Sequence, residues 1–265
     1  MLSKSNKGRT HQIHKHKIVY IIPTYNEVEN IERMITKVGD VLDSLSKYTT
    51  NILVVDDKSP DGTGKVVKNL QKNNPDIILL SGFKKGLGKA MSRGIEYAIN
   101  KLRADIVITN EADFSYSPSL VPTMINKIEN GADAVFGSRK LGSVDKWSLS
   151  RKAMHFFANT FFAKYVAGID EIEDHNSAFR AIRVRGILDK IRFTNFPKGY
   201  AFFNYLTFKI SLITSKFVEI KTNFHPRKVG ESKVSFRFGN FKHLIDEVLE
   251  YIFTCIRIRI EDTFL

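Results

Sequence analysis

Cysteine is nearly absent from this chain. Of 265 residues only Cys255 carries a thiol, which excludes an internal disulfide and any cysteine-rich metal site and points to a reducing compartment. Long apolar runs are missing too, with no stretch approaching the ~18 uncharged apolar residues that a membrane-crossing helix needs. Residues 1–17 hold five basic side chains, no acids and no apolar core, so they do not read as a secretory signal. Residues 1–16 read instead as a disordered basic tail, whose His11, His14 and His16 are too loosely held to preorganise a metal. Acids are in deficit, 28 Asp and Glu against 41 Lys and Arg, for a net charge of +13. Such an excess suits anionic partners: phosphorylated substrates, acidic lipid or nucleic acid. What is present is a 43% hydrophobic chain, enough for the core of one large domain.

Apolar runs of strand length, over 17–23, 51–55, 76–80, 105–109 and 133–137, alternate with stretches carrying apolar residues at helical spacing. Asn26, with Glu29 three residues on, predicts the N-cap of the first helix. Strands alternating with helices imply right-handed crossovers and a mainly parallel sheet covered on both faces, with ligands at the carboxyl ends of the strands. After about residue 142 the alternation fades. An aromatic amphipathic segment at 151–168, strands near 179–182 and 216–220, a helix over 200–213 and a long amphipathic helix from 241 to 260 complete the pattern. One domain over 17–242 follows, with a nucleotide half to about 140, an acceptor half over 141–242 and a C-terminal helix over 243–265.

Acidic residues close two of the strands. Asp56-Asp57 ends the second, and Glu111-Ala112-Asp113 ends the fourth. A carboxylate accepts two hydrogen bonds at once, so Asp57 can take a base N–H or ribose hydroxyls, while Asp61 belongs to a Pro-Asp-Gly turn. Two carboxylates at i and i+2 can share one hard cation that bridges diphosphate oxygens. Pro23-Thr24-Tyr25-Asn26-Glu27 follows the first strand, where backbone amides can face a phosphate or a base. Gly86-Leu87-Gly88-Lys89 opens the third helix and lets backbone approach either backbone or phosphate. Arg139, Arg151, Arg180 and the 227–233 segment supply cations for phosphates, whereas Arg183 and Arg185 read as solvated surface.

Pro-Thr-Tyr-Asn-Glu, Val-Asp-Asp-x-Ser-Pro-Asp-Gly-Thr, Gly-Leu-Gly-x-Ala, Ala-Asp-x-Ser, Gly-Ser-Arg, Phe-Arg, Lys-Gly-Tyr-x-Phe and Gly-Glu-Ser-Lys occur in this order. Together they resemble the inverting family 2 glycosyltransferases of the GT-A nucleotide-diphosphosugar fold, and among these the polyprenyl-phosphate sugar transferases of the dolichyl-phosphate mannose synthase type. The resemblance runs from about residue 18 to 242. It implies transfer of a hexose, mannose first, from GDP-mannose or a UDP-sugar to a polyprenyl phosphate. Pro23, Tyr25, Glu27, Asp57, Lys89 and Ala112 would then bind the nucleotide sugar. Glu111, Asp113 and Ser115 would hold Mg2+ or Mn2+, and Arg139, Arg151, Arg180, Arg227 and Lys233 the donor and acceptor phosphates. Asp113, Arg139 and Asp174 would be catalytic, Asp174 as base should the acceptor be a hydroxyl. The sequence departs from the family pattern at Glu111, in the Asp174-His175-Asn176 stretch, and at Tyr205, all expected near cation, sugar or acceptor.

Two further readings remain. One is a family 2 transferase acting on a saccharide or protein hydroxyl. The other is a non-catalytic basic module, against which the aligned acids speak, because without metal they would repel a nucleic-acid backbone. The implied setting is the cytoplasmic face of a membrane, held peripherally on anionic lipid or by a membrane-embedded partner subunit. The aromatic face of 153–166 is the expected lipid contact, while the apolar face over 244–253 is expected to pack on the core.

Overall fold

A computed structural model describes residues 15–142, 149–170, 172–223 and 241–264; at positions 150, 151, 154 and 241–244 only the backbone is included. The basic tail and the 227–233 segment lie outside the described residues. Seven strands form one mixed sheet in the order β3-β2-β1-β4-β6-β5-β7. These are β1 (Lys17–Thr24), β2 (Thr49–Asp56), β3 (Ile77–Ser81), β4 (Ile106–Thr109), β5 (Ala134–Ser138), β6 (Arg180–Arg183) and β7 (Phe217–Lys221). The first four strands pair in parallel, and so do β5 and β7, whereas β6 runs antiparallel to both β4 and β5. Ile18 through Ile22 are wholly buried, as expected of a parallel strand covered by helices on both faces. The helices are α1 (Val28–Asp43), α2 (Thr63–Asn73), α3 (Leu87–Asn100), α4 (Val121–Glu129), α5 (Leu149–Phe156), α6 (Ala201–Ser211) and α7 (Phe241–Thr263), with a π-helical segment Phe157–Val166 continuing α5.

Topology decides where the site sits. The strand order reverses between β1 and β4, so a crevice opens at their carboxyl ends. Since β6 alone runs backwards, the residues entering it lie at that same edge. The turns after β1, β2, β4 and β5 and the 172–179 loop therefore converge, although they come from distant parts of the chain.

Two expectations about elements are corrected. Asn26 does not cap α1: it lies outside the helix with φ 57°, and Glu27 stands at the N-cap without a side-chain cap bond. Asp61 Oδ2 accepts the Val28 amide instead, at 2.9 Å. The apolar face of α7 does not pack on the core either. Ile245, Val248, Leu249 and Phe253 are exposed, and it is Cys255 and Ile258 that turn inward.

Candidate active site

The turns after β1 and β2 are sewn together. Ser59 Oγ accepts the Asn26 amide at 3.0 Å, Thr63 Oγ1 the Glu27 amide at 3.0 Å, and Asp61 the Val28 amide. The expectation that these three amides face a phosphate is therefore corrected, because side chains of the neighbouring turn already occupy them. Asp61 also accepts from the Thr63 amide and hydroxyl. Burial works to raise its pKa, but these bonds outweigh it and hold the carboxyl below its usual value. Asp56 is likewise internal, accepting from Thr24 Oγ1, Ser59 N and Ser59 Oγ. Asp57 stands beside it, with Oδ1 paired to Arg93 Nη2 at 2.7 Å. Tyr25 and Pro23 line the same edge half-buried; Lys84 lies 3.7 Å from the centre of the Tyr25 ring, and Glu27 is buried with Asn30 donating to Oε2. Asn26, Lys58 and Phe114 each adopt a left-handed φ, at 57°, 50° and 60°. Thus the turns after β1, β2 and β4 all carry backbone strain of a kind that clusters at functional sites.

After β4, buried Asn110 frames the acidic turn. Its amide donates to Tyr20 Oη at 2.7 Å, and its carbonyl oxygen accepts the Glu111 amide at 2.8 Å. Glu111 and Asp113 are half-buried, Ala112 turns its methyl inward, and buried Ser115 donates its amide to Asp113 Oδ1 at 3.0 Å. Among the described residues no group of three or more His, Cys, Asp or Glu converges for a metal. Two oriented hard carboxylates nonetheless fit a Mg2+-like ion, which commonly takes one or two carboxylates and completes its shell from substrate phosphates and water.

The acidic turn acts electrostatically on a buried ion pair after β5. Arg139 Nε and Nη2 donate to Asp174 Oδ2 and Oδ1, both at 2.7 Å, and the Arg139 amide adds a third bond at 2.9 Å. Glu219 on β7 accepts the Glu173 and Asp174 amides and so fixes the loop that presents the carboxylate. Burial alone would raise the pKa of Asp174 and lower that of Arg139. Each ion overrides this for the other, so Asp174 titrates far below and Arg139 above the ordinary value. Glu111 also raises Arg139, which ties the acidic turn electrostatically to the guanidinium. His155 on α5 places Nε2 3.8 Å from Asp174 Oδ1. Sequence reading missed His155, Asn110 and Glu219; only the fold brings them here, from α5, the end of β4 and β7.

Four further expectations change. Asp174 is not available as a base, since its carboxylate is 0% exposed and bound on both oxygens by Arg139. Arg180 is not a phosphate ligand: it lies in the core, with guanidinium bonds to the Ser177 and His175 carbonyls and to Thr207 Oγ1. Lys89 donates to the Thr194 and Phe196 carbonyls, and the adjoining glycines pack on the 197–199 turn, so this segment docks backbone on backbone. Tyr205 is away from the edge, joined to Glu261 and Arg257 of α7. The side chains of Arg151, Arg227 and Lys233 lie outside the described residues.

A mixed sheet that gathers paired carboxylates and an anchored arginine at the edge where its strand order reverses is the GT-A fold of nucleotide-sugar transferases. Comparison with known proteins agrees. Residues 20–192 match glycosyl transferase family 2. The undecaprenyl-phosphate mannosyltransferase of Micrococcus luteus is 32% identical over 225 residues, covering 83% of this chain and 88% of that protein. The dolichol-phosphate mannosyltransferase of Pyrococcus furiosus is 32% identical over 220 residues, covering 82% of this chain and 59% of the relative. Among solved structures, glucosyl-3-phosphoglycerate synthase from Mycobacterium tuberculosis, in complex with Mn2+ and UDP-glucose, superposes with a TM-score of 0.64 at 16% identity, over 91% of this chain and 79% of that one. The chain belongs to glycosyl transferase family 2.

Proposed function

We propose that this protein is an inverting, divalent-cation-dependent transferase that moves a hexose, mannose foremost, from a nucleotide sugar to a polyprenyl phosphate at the cytoplasmic face of a membrane. The observation that carries the reading is the Arg139–Asp174 pair set across from the Glu111–Asp113 turn, in a chain whose relatives are named for polyprenyl-phosphate mannosyl transfer. Asp57, Tyr25 and Glu27 would take the nucleoside. Glu111 and Asp113 would hold Mg2+ or Mn2+, with Ser115 orienting Asp113; when bound, the cation neutralises charge on the departing nucleoside diphosphate. Arg139 would orient phosphate, its guanidinium fixed in place by Asp174. An acceptor phosphate oxygen then attacks the sugar C1 from the face opposite the diphosphate, whose bond to C1 breaks. That oxygen is already ionised near neutral pH, so no protein base is required. The depressed basicity of Asp174 favours this acceptor over a hydroxyl, which would need its proton removed.

The test is product formation from a panel of labelled nucleotide sugars with polyprenyl phosphate and Mg2+ or Mn2+. Lipid-soluble label from one donor, lost with chelator and reduced on the order of 100-fold or more in Asp113→Ala, is the expected result. Nucleotide binding without transfer to any polyprenyl phosphate would sink the acceptor assignment.

A further inference from the structure

Arg93 and Asp57 form an ion pair that is only half used. A guanidinium and a carboxylate commonly meet through two parallel bonds, but here a single bond joins Arg93 Nη2 to Asp57 Oδ1 at 2.7 Å. Among the described residues Asp57 Oδ2 and Arg93 Nη1 have no hydrogen-bond partner, and Arg93 Nε is buried without one. The Asp57 side chain is 6% exposed and that of Arg93 28%. The pair therefore keeps one acceptor and one donor side by side, with the donor on the more open member.

The guanidinium is held in place by what surrounds it. Arg93 projects from α3 over the residue that follows β3, where a Cβ on Gly82 would come 2.5–2.8 Å from its Cζ, Nη1 and Nη2. Only glycine leaves room for it there. The loop after Gly82 is tied across the same edge, with Lys84 3.7 Å from the centre of the Tyr25 ring and Lys58 3.7 Å from that of Phe83. The donor–acceptor couple thus stands at the carboxyl ends of β2 and β3, beside the Tyr25 ring.

We propose that Arg93 is a specificity-determining residue that reads the keto oxygen of the donor nucleobase, while Asp57 accepts from the adjoining ring N–H. This deepens the proposed function and rests on its placing the nucleoside at Asp57. Guanine offers N1–H beside O6, and uracil N3–H beside O4, so either one satisfies both free groups. Adenine and cytosine present the reverse at the same positions, a bare ring nitrogen beside an amino group. With the base fixed through its ribose and diphosphate, it cannot turn over, and both contacts then become repulsive. A site whose polar groups are left unpaired by the wrong ligand discriminates strongly.

The experiment measures binding of GDP, UDP, ADP and CDP, each with Mn2+, to the full-length protein by calorimetry. Wild type should bind GDP or UDP on the order of 100-fold more tightly than ADP and CDP, and the stronger of the two names the donor base. Arg93→Met removes the donors, and Arg93→Lys keeps the charge beside Asp57 without the planar fork. In each, the preference should fall on the order of tenfold or more, the scale of one charged hydrogen bond, with ADP and CDP binding unmoved. In hexose transfer the loss should appear in nucleotide-sugar KM rather than kcat, because the base is remote from the reacting carbon. An equal loss for all four nucleotides would make Arg93 merely structural and overturn the inference. So would a wild type indifferent to the base, or a preference left intact in either folded variant. If folded wild type binds none of the four, the nucleotide-sugar reading itself falls and takes this inference with it.

Discussion

Arg139 and Arg180 are both arginines beside the same loop, yet burial gives them different work. Arg139 meets an anion, and its charge is secured. Arg180 meets only carbonyls, a hydroxyl and the faces of Phe136 and Phe203, at 4.9 and 5.2 Å, and burial lowers its pKa to about 9. It is a core strut, and no local motif distinguishes the two. His175 shows the same effect with a consequence for stability. It is wholly buried, and desolvation lowers its pKa from 6.5 to about 4. The folded protein keeps it neutral while the unfolded chain takes up a proton, so stability present above about pH 6.5 is lost as pH falls towards 4. The loss should reach about 3 kcal/mol. Chemical denaturation at a series of pH values should show this decline in the wild type and a shallower one in His175→Gln; equal slopes would assign the acid sensitivity elsewhere.

At the scale of elements, α7 is the clasp of the 198–211 segment. Glu250 accepts the Lys198 and Gly199 amides and Glu247 the Tyr200 amide, so two α7 carboxylates satisfy the start of α6. Tyr251 reaches Asn176 and the Ala158 carbonyl, while Glu261 binds Tyr205, Lys209 and Arg257. The turn that α7 holds is in turn the seat of the Gly86–Lys89 segment: Gly88 donates to the Lys198 carbonyl at 2.6 Å, and a Cβ on Gly88 would come 2.2 Å from the Pro197 carbonyl oxygen. Gly88→Ala should therefore cost about 1–3 kcal/mol by forcing the two loops apart, read as a lower denaturation midpoint. A neutral result would mean that this contact gives way freely. The glycines are conspicuous in the sequence, but their spacing alone does not say whether backbone or phosphate approaches them; the 196–199 turn, more than a hundred residues away, decides it.

Over the whole molecule, exposed apolar side chains gather on two touching elements. Leu149, Phe156, Phe157, Phe161 and Tyr165 project from α5 and its π-helical continuation, and Ile245, Val248, Leu249, Phe253, Ile256 and Ile260 from α7. Phe162 and Tyr251 meet edge-on between them, ring centres 6.5 Å apart. No helix among the described residues is long and apolar enough to cross a membrane. An amphipathic surface on a chain of net charge +13 suits adsorption to anionic lipid instead. Co-sedimentation should be stronger with anionic than with neutral vesicles, weaken with added salt, and fall in a Phe157→Ser, Phe161→Ser, Phe253→Ser triple variant that keeps its secondary structure. Retention of full binding by that variant would move the contact to another face.

Apolar periodicity was enough to locate the strands and helices, and acids placed after apolar strands were enough to point to the edge where the strand order reverses. Both signals are local, because strand and helix periods and strand-end chemistry are written in neighbouring residues. The partners of each polar group were not local. Asp174 became an anchor for Arg139, Lys89 a tie to distant carbonyls, and the amides at the start of α1 donors to the next turn, because β6 runs against its neighbours and α7 folds back over the 198–200 turn and α6. Charge and hydrogen bonding depend on what lies within a few ångströms in space, and that is set by the packing of elements far apart in the chain.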